Sequence, residues 1–157
     1  MRAASVKEIK TALELLPPSS LLPLCLRMAK FKKENKELLT YLLFEENDEA
    51  AYISSVKNEI DEAFLELNTK SVYIAKKNIR RILRITNRYI KYSGLKTTEA
   101  SLLLHVCSKI KESGLELSKS AALFNIYASQ VKKIRAAIET MHEDLQYDFN
   151  KELELIE

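Results

Sequence analysis

Glycine and proline are scarce in this chain, with 2 Gly and 3 Pro among 157 residues, where average usage would place about 11 and about 8. β-Architectures need turn residues every ten or so positions, and α/β folds need glycine in their βα loops. The shortage excludes both and leaves a chain that is almost all helix. Tryptophan is missing, and only 2 His and 2 Cys are present. These four residues stand at unrelated spacings and offer no local chelating set, so neither a metal nor another cofactor is expected. Cys25 and Cys107 read as two buried small hydrophobes of a reducing compartment. No uninterrupted apolar stretch approaches the roughly 18 residues of a membrane span. The N-terminus carries Lys7, Glu8, Lys10 and Glu14, where a signal peptide needs an unbroken apolar run. Leu24 is too large for the small residue that precedes a lipoprotein cysteine. The expectation is a soluble, cytoplasmic protein without a membrane role.

Apolar residues make up 46% of the chain and charged residues 30%, which excludes intrinsic disorder. The length suits one domain, residues 1–157, able to fold without disulfides or a structural metal. Helix signals punctuate it. Ser5 and Glu8 form an S-x-x-E capping box, and the helix they open ends at Pro17-Pro18. Ser19 or Ser20 can cap a second helix, with Pro23 in its first turn. Asn35 can cap a third, Asp48 a fourth, and Thr69 or Ser71 a fifth that Gly94 stops in a left-handed C′ position. Thr97 or Thr98 starts a sixth, stopped likewise by Gly114, and Ser118 opens the last segment. From Leu123 to Ile156 the apolar residues of that segment stay within an arc of about 80°, which predicts one C-terminal helix about 57 Å long. Such a rod exceeds the roughly 40 Å diameter of a domain this size, so it either breaks, around Ala128–Gln130, or projects and seeks a partner. The fold class expected is all-α: six to seven antiparallel helices in a bundle or short α-α superhelix of helical hairpins, with a long C-terminal helix.

Charge is unevenly laid out. Net charge is only +3, yet no acid occurs between Glu66 and Glu99 while nine Lys and Arg do. Within the fifth helix, residues 71–93, the side chains of Lys77, Arg80, Arg81, Arg84, Arg88 and Lys91 fall within an arc of about 100°. They form a basic ridge about 21 Å long, with Ala75, Ile79, Ile82, Thr86, Tyr89 and Ile90 opposite. From Glu139 onward seven acids oppose the single Lys151. Three readings of the ridge stay open: a solvated helix face, a partner for the acidic last segment within the chain or in a dimer, and a binding face for nucleic-acid phosphates.

Chemistry is thinly represented. His105 and Cys107 stand two apart on a helix, so their side chains diverge by about 200° and form no local nucleophile pair. His142-Glu143 opens like a zinc-protease motif, but Gln146 stands where the second histidine belongs. No glycine-rich phosphate loop and no G-x-S-x-G occurs. No catalytic, cofactor-binding or metal-ligating residue is assigned, and the chain is expected not to be an enzyme. Residues 118–138 align with a helix-turn-helix, with Ala121 at the small position, Asn125 at the turn, and Ser129, Gln130, Lys132, Lys133 and Arg135 outward as on a recognition helix. The in-phase stripe and the acidic continuation favour an uninterrupted helix instead.

The combination of KFKKENKELLTYLLFE, RRILRITNRYIKYSG and MHEDLQYDF resembles a family of small, uncharacterised all-helical bacterial proteins with no assigned activity. The resemblance extends over most of the chain and implies a cytoplasmic helical domain without carrying over any functional residue. The expected role is a scaffold or adaptor that binds another macromolecule, a protein partner or a second copy through the C-terminal helix. The alternative is nucleic-acid binding through the basic helix 71–93 or the segment 118–138.

Overall fold

Most helices begin where a side chain, or a proline that lacks the orphan N–H, removes the cost of an open first turn; those that start at Lys33 and Lys96 begin without either. The computed structural model describes residues 1–157 as eight α-helices without a strand: α1 (Val6–Glu14), α2 (Pro18–Phe31), α3 (Lys33–Thr40), α4 (Glu49–Leu65), α5 (Val72–Ser93), α6 (Lys96–Glu112), α7 (Ala121–Ile138) and α8 (Glu143–Ile156). The all-α class is as the composition implied. Ser5 and Glu8 close the capping box at α1, Asp48 accepts from the Ala51 N–H at α4, and Ser71 accepts from the Ile74 N–H at α5. Gly94 and Gly114 hold φ of +70° and +74°, the left-handed region that side chains disfavour.

Other starts differ from expectation. α2 begins on Pro18 behind Pro17, with no serine cap, because a proline at the first helical position needs no partner for its nitrogen. Asn35 lies inside α3, where its Nδ2 donates to the Met28 carbonyl of α2 at 2.9 Å. α6 starts at Lys96 rather than at a threonine cap. Thr98 is instead buried and donates its hydroxyl to Glu49 of α4. Ser118 lies in a 3₁₀ turn, and Ser120 caps α7.

The long C-terminal helix is not formed, and the break lies well beyond Ala128–Gln130. Residues 139–142 separate α7 from α8. Thr140 donates its hydroxyl to the Ala137 carbonyl at 2.7 Å, a local bond that competes with the helix ladder. His142 caps α8 through Nδ1, with Glu143 and Asp144 in the first turn, where acids suit the helix dipole. Gln146 Nε2 reaches back to the Met141 carbonyl at 2.8 Å. The terminal helix therefore folds back instead of projecting. α8 packs on α6 and α7, buries Leu153 and Ile156, and its Ile156 carbonyl accepts from the Tyr127 hydroxyl at 2.5 Å.

The chain forms two compact units, Met1–Phe44 and Glu45–Glu157. In the first, α2 and α3 pack together, yet α1, α2 and α3 contain no buried residue. Tyr41, in a π-helical turn spanning Tyr41–Glu45, is that unit's one buried side chain. Cys25, expected inside, is exposed on α2, because α2 has no covered face. The second unit is centred on α6, which contacts α4, α5, α7 and α8. Leu102, Leu103 and Leu104 are consecutive and all buried. Successive residues point 100° apart, so more than half of the helix circumference is covered here, and Ser101, His105, Ser108 and Glu112 mark its more open face. No helix is long and apolar enough to cross a membrane.

Candidate functional site

The basic ridge is where the periodicity of α5 puts it. Ala75, Ile79, Ile82, Leu83, Thr86 and Ile90 are buried, and Thr86 satisfies its hydroxyl on the Ile82 carbonyl at 3.0 Å. With that face committed to the core, Lys77, Arg80, Arg81, Arg84 and Lys91 are exposed, and Arg88 is partly covered beside the Tyr89 ring. Arg81 pairs with Glu66 across the α4–α5 connection at 2.8 Å. Arg80 and Arg84 form no ion pair, although Glu66 lines the same hollow as both. The acids of α8 are engaged elsewhere or solvated: Glu157 accepts from Arg135 Nε at 2.9 Å, and Asp144 lies near His142. Arg81 is thus paired outside the acidic terminal helix, and Arg80 and Arg84 form no ion pair with it. An exposed ion pair such as Arg81–Glu66 contributes little to stability, about 0–1 kcal/mol.

Two hollows flank Arg80 and Arg84. One, of about 720 Å³, runs along α5 from Tyr73 past Lys76, Lys77 and Asn78 to Arg84. Tyr73 is 71% exposed, and the Lys76 ammonium lies 5.7 Å from its ring centre. The other, of about 580 Å³, is a groove between α5 and α7. Its α5 wall is Arg80, Leu83, Arg84 and Asn87, and its α7 wall is Ala122, Asn125, Ile126, Ser129 and Gln130. Both walls stand on α6, against which α5 and α7 pack. Gln130 is only 5% exposed. Its Nε2 donates to the Ile126 carbonyl at 3.2 Å, while its Oε1 has no partner. A buried polar atom left unpaired costs about 1–3 kcal/mol.

The helix-turn-helix alignment does not hold: α7 runs unbroken from Ala121 to Ile138, and Asn125 sits within it. Without a turn no separate recognition helix exists. Ser129 and Gln130 nevertheless share a groove with Arg80 and Arg84, so the two segments singled out separately in the sequence meet at one place. The clue was available in the short α5–α6 and α6–α7 connections, which return α7 to the same central helix.

Elsewhere the chemistry-bearing residues have structural partners. His105 Nε2 stands 2.7 Å from Asp61 Oδ1, and Lys109 reaches the same carboxylate at 3.4 Å. Cys107 is buried, and desolvation pushes its thiol up to about 12, which removes it as a nucleophile near neutrality. His142 caps a helix end. No group of three or more His, Cys, Asp or Glu is placed to hold a metal ion. No family model, curated protein or solved structure matches the chain.

Proposed function

We propose that this chain is a non-enzymatic helical adaptor that binds another macromolecule through its surface. The observation that carries the reading is the unit Met1–Phe44, whose helices leave apolar side chains such as Leu22, Met28 and Phe31 (78% exposed) in solvent. Leu24, Arg27, Met28, Phe31 and Asn35 enclose an apolar groove of about 310 Å³ within that unit. Isolated exposed hydrophobes are ordinary, but neighbouring ones that line a concavity mark an interaction face. The unbranched Met28 adapts to a partner's shape, and a groove of this kind suits the apolar side of a helix. The raised Cys107 thiol and the tethered His105 support a non-catalytic role. A cytoplasmic location agrees with the unpaired thiol of Cys25.

Photo-crosslinking in the native cell tests this. A benzophenone amino acid at Phe31 should give discrete protein adducts, whereas the same group at Lys132, exposed on α7, should not. Equal labelling from both positions, or none from Phe31, would refute the adaptor reading. The second reading, nucleic-acid binding, is favoured by the unpaired Arg80 and Arg84 at the α5–α7 groove.

A further inference from the structure

We propose that the α5–α7 groove is a binding site for a single-stranded polynucleotide, whose phosphodiester backbone passes between Arg80 and Arg84 on one wall and Asn125 and Ser129 on the other. The proposal deepens the nucleic-acid reading and stands apart from the adaptor role of Met1–Phe44, so either can fail without the other.

The argument begins with charge. Arg80 and Arg84 are exposed, one turn apart, and without a carboxylate partner, although Glu66 is close enough to pair with Arg81. Two unpaired guanidiniums on the wall of a concavity repel each other and favour an anion between them. Arginine's planar donor fork matches phosphate bidentately, which an isolated surface lysine does not.

The opposite wall selects among anions. Asn125 and Ser129, both exposed on α7, present an amide and a hydroxyl. Such a mixture of donors and acceptors suits sugar and base edges as well as phosphate. Leu83, Ala122 and Ile126 add apolar surface to the lining, against which a sugar or a base face can lie. The adjoining hollow, whose one acid, Glu66, is paired with Arg81, continues the track past Lys77 and Lys76 to the exposed ring of Tyr73. A basic channel ending on an open aromatic face is the arrangement that binds single strands, with base stacking adding about 1–3 kcal/mol per base.

Fluorescence anisotropy with a labelled single-stranded oligouridylate of about twelve nucleotides tests the site in the full-length protein. Contact of three phosphates with Lys77, Arg80 and Arg84 should give a log–log salt slope of about −2. The Arg80→Gln/Arg84→Gln variant should weaken binding at least tenfold at low salt. Ser129→Glu, which sets a carboxylate on the facing wall, should weaken it comparably. Lys7→Gln/Lys10→Gln removes the same two charges from α1 and should change affinity less than twofold. Circular dichroism establishes that each variant is folded, and Ser129→Glu decides the question if the double arginine change does not fold. The proposal is overturned by no binding at low salt, by equal loss in the α1 variant, or by an unaffected Ser129→Glu. Binding of a duplex of equal length as tightly as the single strand, or displacement by polyglutamate as readily as by oligouridylate, would equally overturn it.

Discussion

The first 44 residues and the remainder of the chain are built from the same materials and reach opposite ends. Both units are helical, both open on a helix closed by a short polar side chain (Ser5 at α1, Asp48 at α4), and both have amphipathic segments. In Glu45–Glu157 the apolar stripes converge on α6, which buries Leu102, Leu103 and Leu104 together. In Met1–Phe44 α2 packs on α3, yet only Tyr41 is buried. Local signals are enough to write a helix, but burial decides whether it contributes to a fold. The helices of Met1–Phe44 have the first property and do not supply the second to one another.

Core truncation should separate the units most sharply. Leu103→Ala, at a side chain fully withdrawn from solvent, should cost about 2–5 kcal/mol through lost burial and an unfilled cavity. Met28→Ala, at 56% exposure, should stay within about 0.5 kcal/mol. Urea unfolding of both variants gives the comparison, and similar losses would contradict it.

Alkali offers the next largest effect. Burial raises the Cys107 thiol from 9.0 to about 12 in the folded protein. The unfolded chain gives up that proton from about pH 9 while the folded chain keeps it, so stability falls as pH rises towards 12. The slope reaches about 1.4 kcal/mol per pH unit for this one group. Tyr127 is raised in the same direction by burial and steepens the decline. Cys107→Ala should remove the thiol's share, which parallel urea titrations at about pH 8 and about pH 11 would measure.

Capping gives a smaller contrast. Asp48→Ala should lower global stability by about 1 kcal/mol, because α4 is tied into the core through Tyr52, Val56 and Ile60. Ser5→Ala breaks the capping box of a helix with no buried residue. It should speed amide exchange in α1 while leaving global unfolding unchanged. The smallest effect is expected at Gln130. Gln130→Leu gives up one bond to the Ile126 carbonyl but relieves the unpaired Oε1, so stability should be unchanged or higher by up to about 1 kcal/mol. A clear loss in thermal melting would mean that this amide is a structural element of the core.

Much of this architecture was legible in the chain. Ser5, Asp48 and Ser71 cap as their positions imply, Gly94 and Gly114 end helices, and α5 turns toward the core the face that its apolar spacing dictates. The division at residues 139–142 was not legible, because the apolar stripe stays in phase across it and neither Gly nor Pro marks it. There the deciding bonds come from Thr140, His142 and Gln146, residues equally at home inside a helix. The fate of α1–α3 was hidden for a different reason: periodicity reports which side of a helix is apolar and is silent on whether anything covers it. The ridge was legible as six cations on α5. The groove was not, since it joins residues more than forty positions apart and exists only because α5 and α7 share α6 as their support.

The contrast between the two cysteines has a practical consequence. One sulfur lies open on α2 and the other is enclosed in α6, so the unaltered sequence carries a single addressable handle, placed on the unit whose surroundings are of most interest. A maleimide fluorophore attached there would report by its emission colour and rotational freedom when the neighbouring Leu24, Met28 and Phe31 pass from water into contact with another molecule. Titration of unmutated protein with candidate binders thus becomes an optical measurement.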